Sequence, residues 1–300
     1  MADLLRLIRA PMVFSTTGDV LVGYFCIDPP KEIRIVPLLL VCLASACLYS
    51  FGMATNDIFD RGRDRKLHPQ RPLPSGRVSL RFAWRLAVWL PVFAFVASMG
   101  IGSQGMATTG GIVLLILAYN AWLKRFDLAG SVVMGMIRGA NVLLGWSALG
   151  TGIILSTDAL SGPATYVFIY IACITWISTA EEVKRPRGSG HHPRVAIAML
   201  ILFALMARLS FQGPLSGTHP YPDRLLDPLY LLFSIVLWRL VASRDSSKHS
   251  TFQTVRTLLL GLFFLDAHLL YATGQVYLAL IPITLVIPSM ILSRRLRISS

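Results

Sequence analysis

The chain has 300 residues, 54% of them hydrophobic and only 14% charged, with a mean hydropathy of +0.62. A soluble domain is about one quarter charged, and the apolar residues here come in runs near the ~20 needed to cross a bilayer, so the composition is that of a polytopic membrane protein. The net charge of +13 comes from Lys and Arg in short loops, as the positive-inside rule requires; no recognition helix or zinc-finger spacing accompanies it, and nucleic acid is excluded as a partner.

Residues 1–10 read as an amphipathic lead-in whose Arg6 and Arg9 mark a cytoplasmic start, and no small-residue cleavage site follows, so this segment is expected to be retained. A first span runs from about Pro11 to Ile27, with a polar cluster, Ser15 to Asp19, that suits a cavity better than lipid. A second covers Ile35 to Ala54, a third Phe82 to Ile101 and a fourth Met106 to Trp122, which closes on the aromatic and basic segment Tyr119 to Arg125. The fifth, Ser131 to Ile153, carries Ser131, Gly135 and Gly139 at four-residue spacing, a small-residue stripe for close helix packing. Arg138 and Asn141 on the same span need interior partners, either as a buried structural pair or as contacts in an acceptor pocket; Asp19 shares that choice. The sixth span is Pro163 to Thr179. Two more, Ala196 to Phe211 and Leu225 to Ala242, precede apolar stretches at Leu258 to Tyr271 and Val276 to Leu292. Asp266 and His268 in the former read as a satisfied polar pair. Charged loops recur after every second span, which puts both termini on one side and favours ten spans over nine. The four cysteines lie in apolar segments without a CxxC pair and read as buried small hydrophobes. His191-His192 reads as solvated loop.

The stretch that carries chemistry is Asn56 to Gly76, NDIFDRGRDRKLHPQRPLPSG. On a helix, Asn56, Asp60 and Asp64 fall at i, i+4 and i+8, an oxygen-rich stripe down one face, with Asp57 one residue round. Hard oxygens with no nearby Cys suit Mg²⁺ rather than zinc. Arg61, Arg63, Arg65, Lys66 and Arg71 follow, the cations a diphosphate beside such a metal needs.

This motif, Asn56-Asp57-x-x-Asp60-x-x-x-Asp64 followed by Arg71-Pro72-Leu73-Pro74-Ser75-Gly76, resembles the first aspartate-rich motif of the UbiA family of intramembrane prenyltransferases. The match covers more than twenty consecutive positions after the second span. Arg9-x-Pro11, Tyr119 to Arg125 and Arg138-Gly139-Ala140-Asn141 extend it more loosely. The resemblance implies an all-α transmembrane bundle of nine or ten spans around a central cavity, one domain over residues 1–300. It implies Mg²⁺-dependent transfer of a polyprenyl group from its diphosphate to a lipophilic or aromatic acceptor, with the active-site loops on the cytoplasmic side. Asn56, Asp60 and Asp64 would bind metal, with Asp57 in the same shell; Arg71 and Lys124 would neutralise the leaving diphosphate, and Tyr119 would lie near the allylic cation.

The chain departs from the family at the second acidic motif, where DxxxD-like spacing is replaced by Glu181-Glu182-Val183-Lys184-Arg185. Adjacent residues point about 100° apart on a helix, so one glutamate faces the first motif. Glu182 is the assigned metal ligand, Glu181 stands beside it, and Lys184 or Arg185 replaces part of a metal's charge. The alternative reading is a non-catalytic relative that binds or carries a prenyl or lipid phosphate.

Overall fold

The computed structural model describes residues 2–26, 32–150, 162–179, 198, 201–202, 248–272 and 277–296. These are helical, with no strand among them. The chain opens with α1 (Ala2–Leu7), passes through a 3-10 turn at Ala10–Met12 and enters α2 (Val13–Cys26). Then come α3 (Ile35–Leu67), α4 (Leu80–Met99), α5 (Ser103–Ala121), a 3-10 turn at Leu123–Arg125, and α6 (Asp127–Ser147). The remaining described helices are α7 (Pro163–Thr179), α8 (Lys248–Ala272) and α9 (Leu280–Leu296). Most sequence-based spans agree with these helices to within a few residues where both exist; α3 continues thirteen residues past the expected end at Ala54, α6 ends six residues before the expected Ile153, and α8 begins ten residues before the apolar stretch at Leu258. The spans expected at 196–211 and 225–242, together with Glu181, Glu182, Lys184 and His191-His192, lie outside the described residues.

Three of the described helices, Ile35–Leu67, Leu80–Met99 and Asp127–Ser147, are long and apolar enough to cross a membrane. Their burial pattern says what surrounds them. On α4 the residues Trp84, Val88, Trp89, Val92, Phe93 and Val96 are exposed, a contiguous apolar face that water would not tolerate and lipid covers. The chain is an integral membrane protein.

Helix α3 has 33 residues, about 50 Å at 1.5 Å per residue, against a hydrocarbon core about 30 Å thick. Its last three turns therefore leave the membrane without unwinding, and they carry the acidic motif on a rigid helix. The turn from Arg71 to Val78 folds back beneath them. Leu73 and Val78 form a small core with Leu7 of α1 and Ala83 of α4, so the lead-in helix clamps this loop instead of drifting in solvent. Arg77 adds an ion pair to Asp3 at 3.1 Å and donates to the Gln70 carbonyl, while Arg6 donates to Leu296 O at 2.9 Å.

Inside the membrane α2 packs against α3, α6, α8 and α9. Contact with α6 is backbone to backbone: a Cβ on Gly23 would overlap Val142 O, and one on Gly145 would overlap Val20 O. Gly135 and Gly139 likewise admit α7, since a side chain at either would press on Phe168. Ser131 is buried and bonds back to Asp127 O, so the small-residue stripe is a packing surface. Of the cysteines, Cys26, Cys47 and Cys173 are buried, Cys42 is half-buried, and none is bonded to another.

Candidate active site

The acidic stripe faces three cations from three different elements. Lys124, on the 3-10 turn after α5, places Nζ 2.7 Å from Asp60 Oδ1 and 3.2 Å from Asn56 Oδ1. Arg71, at the start of the folded-back loop, donates from Nη1 to Asp64 Oδ2 at 2.7 Å. Arg9 reaches toward Asp57, Nη2 to Oδ1 3.9 Å. Asp57 and Asp64 are both buried at 3% exposure, whereas Asp60 is half-buried. A spread of that kind follows from helix geometry, because positions i and i+7 lie only about 20° apart. Asp57 and Asp64 share the inner edge of the stripe, and Asn56 and Asp60 share the outer edge.

In the sequence Arg9 reads as a cytoplasmic marker and as part of Arg9-x-Pro11, with nothing local to tie it to the acidic stripe. It is the one non-glycine residue among those described with a left-handed backbone, φ 47° and ψ 49°. Pro11 and the 3-10 turn fix the chain direction that follows, and the strained conformation aims the guanidinium at the motif. His68, the residue closing α3, is held below the usual imidazole range by burial and by the Arg71 cation, so it stays neutral and adds no charge to this set.

Beneath the motif lies a cavity of about 220 Å³. It follows α3 inward from Asn56 past Gly52 to Ser45, roughly 16 Å of helix rise. Arg9 and Tyr119 stand at the charged end; Leu48, Ile112, Ile116, Met134 and Ile137 supply apolar walls; Thr16, Arg138 and Asn141 stand at the inner end. The structure thus brings Asn56, Tyr119, Arg138 and Asn141 to one cavity; Lys124 and Asp60 join its Asn56 end through the Lys124 contacts, and the Arg71–Asp64 pair lies farther along α3, outside the lining.

The inner end is a buried polar knot. Asp19 on α2 pairs with Arg138: Nη2 donates to Oδ1 at 3.1 Å, Nε lies 3.0 Å from Oδ2 as an ion pair without a hydrogen bond, and the Asn141 amide donates to Oδ2 at 3.2 Å. Arg138 also donates to Ser15 O, and Asn141 to Thr16 O. The choice between structural pair and cavity contact is therefore not exclusive: Arg138 and Asn141 bond to α2 and line the cavity as well. Asp266 on α8 departs from the satisfied pair expected of it. It is fully buried, its Oδ2 fills the space that a Cβ on Gly18 would take, and neither oxygen has a hydrogen-bond partner. Asn120 was another residue without a distinguishing local signal. Its amide nitrogen donates to Thr55 Oγ1 at 2.9 Å and Gly52 O at 3.2 Å, tying α5 to α3 along the cavity wall.

As a metal site the motif has the right chemistry. Its donors are carboxylate and amide oxygens, with no thiol or imidazole among Asn56, Asp57, Asp60 and Asp64, and the buried Oδ1 of Asp57 has no hydrogen-bond partner. Such a donor set fits Mg²⁺. Among the described residues no three acids, histidines or cysteines yet converge on one point, because each acid of the stripe is turned to its own cation.

The sequence profile of the UbiA prenyltransferase family matches residues 19–182, more than half of the chain and inclusive of the whole stripe. The chain belongs to the UbiA prenyltransferase family. Among curated UbiA-type relatives it is 25% identical over 188 residues to the digeranylgeranylglyceryl phosphate synthase of Sulfolobus acidocaldarius, covering 62% of this chain and 66% of that protein. It is 30% identical over 222 residues to the protoheme IX farnesyltransferase of a Synechococcus species, covering 66% and 61%. The chain thus spans just under two thirds of the length of these relatives. In fold it is similar to a UbiA homolog from Archaeoglobus fulgidus bound to DMAPP and Mg²⁺, with TM-score 0.61 and 16% identity over 91% of this chain and 99% of that one.

Proposed function

We propose that this UbiA family member is an intramembrane prenyltransferase that moves a polyprenyl group from its diphosphate to a lipophilic or aromatic acceptor. One observation carries the reading: an acidic stripe ringed by three cations stands at the mouth of an apolar-walled cavity. A diphosphate leaves only if its growing charge is neutralised, and the carbocation left behind must be kept from water. Charged mouth and apolar interior divide those two tasks.

Asn56, Asp60 and Asp64, with Asp57 in the same shell, would hold Mg²⁺, which supplies charge neutralisation for the diphosphate when bound. Arg71, Lys124 and Arg9 would take phosphate oxygens by charge-assisted hydrogen bonds. Tyr119 would present its ring face to the allylic cation. The acceptor would occupy the inner cavity, oriented by Asn141 and Arg138. Glu182, with Glu181 beside it and Lys184 for added charge, would complete the site from the segment that follows α7 in sequence, all on the cytoplasmic side of a single domain over residues 1–300. The relatives' names, which include a farnesyltransferase, support a prenyl donor in the same way.

Purified full-length protein incubated with Mg²⁺ and a panel of radiolabelled prenyl diphosphates is expected to release diphosphate and label an acceptor from a lipid extract. Asp60→Ala and Asp64→Ala should each lower the rate at least about 100-fold. Donor binding without any release in the presence of the extract would instead support the carrier reading, and failure to bind any donor would overturn both.

A further inference from the structure

The three basic partners of the stripe do more than await a phosphate. Each acid of the motif already has a cation: Asp57 has Arg9, Asp60 has Lys124, and Asp64 has Arg71. Lys124 also holds the Asn56 oxygen, so one ammonium occupies two of the proposed metal ligands at once. We infer that these side chains are built-in counter-cations that exclude a bare divalent metal, and that the site accepts metal and diphosphate only as a unit. The inference rests on the prenyltransferase reading and specifies which ligand species its site admits.

The physical reason lies in charge pairing. A bare metal ion entering the stripe must displace Lys124 and Arg71 from carboxylates that are 18% and 4% exposed, and the displaced cations lose the partners they hold. Two like charges then crowd a metal a few ångströms away in a partly desolvated site, which is unfavourable. A metal that arrives with a diphosphate permits an exchange of partners: carboxylates pass from the basic side chains to the metal, and the basic side chains pass to the phosphate oxygens. No charge is left unpaired at any stage. Binding of each ligand should then raise affinity for the other by the same factor, of order 5- to 150-fold for a typical coupling.

Arg9 adds a directional element. Its guanidinium stands 3.9 Å from a buried Asp57 oxygen that lacks any hydrogen bond, too far for a direct bond. It is the most loosely held of the three cations and the first free to turn toward an incoming phosphate. Lys124 makes the tightest obstruction to metal.

The test is a Mn²⁺ titration of the full-length protein in detergent, with free Mn²⁺ read by electron paramagnetic resonance, with and without inorganic pyrophosphate. Wild type should bind Mn²⁺ weakly alone and at least fivefold more tightly with pyrophosphate. An ordinary site, in which Lys124 serves only the phosphate, predicts that Lys124→Met leaves bare-metal affinity unchanged. Exclusion by counter-cations predicts the opposite sign: Lys124→Met binds bare Mn²⁺ at least fivefold more tightly than wild type while the gain from pyrophosphate shrinks, and Lys124→Arg behaves as wild type. Arg71→Gln supplies a second variant in case Lys124→Met does not fold. Unchanged bare-metal affinity in the folded variants overturns the inference and leaves the prenyltransferase reading standing. Absence of any Mn²⁺–pyrophosphate binding in wild type overturns that reading, and with it the inference.

Discussion

Asp19 and Arg138 lie 119 residues apart and meet at the inner end of the cavity, where Asp19 is fully buried and Arg138 is 8% exposed. Replacing Asp19 by Asn preserves shape and removes the charge that balances the guanidinium. Within bilayers a single side-chain hydrogen bond averages about 0.6 kcal/mol, so the two hydrogen bonds to Asp19 would account for roughly 1 kcal/mol if they acted as neutral bonds. An uncompensated buried charge costs more, about 3–5 kcal/mol. Arg138 keeps its hydrogen bond to the Ser15 carbonyl in that variant, so the expected loss is at the lower end of that range, about 3 kcal/mol. The assay is reversible unfolding in mixed micelles with SDS, followed by circular dichroism, on Asp19→Asn, Arg138→Gln and the double variant. Removing both charges should restore most of the loss, with a coupling energy of about 2–3 kcal/mol. A coupling below about 0.5 kcal/mol would refute the claim that charge, more than packing, holds this end of the cavity together.

Other consequences follow from individual contacts. Arg9→Gly removes a cation from the cavity mouth and also relieves a left-handed backbone that costs a non-glycine residue about 1–2 kcal/mol; melting temperature should hold or rise while Mg²⁺–pyrophosphate affinity, read by calorimetry, falls about tenfold. Gly23→Ala drives a methyl into Val142 O, whereas a Cβ at Gly111 meets nothing within 4 Å. The first should destabilise by about 1–3 kcal/mol and the second should leave stability level or raise it by less than about 1 kcal/mol, both measured by the same unfolding assay. Asn120→Leu loses the bonds to Thr55 and Gly52 and should cost about 1–2 kcal/mol; an unchanged unfolding curve would mean that α5 is held to α3 by apolar packing alone.

Local pattern carried much of this protein. Runs of apolar residues near bilayer length mark the spans because lipid leaves every backbone group to be satisfied within its own helix, and α7 agrees with its sequence-based span at both ends. Helical periodicity was enough to set Asn56, Asp60 and Asp64 on one stripe, since i to i+8 contacts need no tertiary information. What periodicity could not assign was a partner for each. Arg9, Arg71 and Lys124 all follow as cations from the sequence, but only packing of the lead-in, the folded-back loop and the turn after α5 decided which acid each would hold.

In the interior the limit is sharper. Lipid and protein core are equally apolar, so hydropathy does not tell the α4 face that meets lipid from the α6 face that meets α2 and α7. Composition established a membrane protein, residue spacing an acidic motif with its cations, and the motif's resemblance to a family implied the helical bundle. Tertiary structure decided that Asp19 closes on Arg138, that Asp266 fills the space left by Gly18, and that a cavity runs from Asn56 to Ser45. Those outcomes depend on contacts between residues far apart in the chain, and in a low-dielectric medium the pairing of such charges is set by where the helices cross.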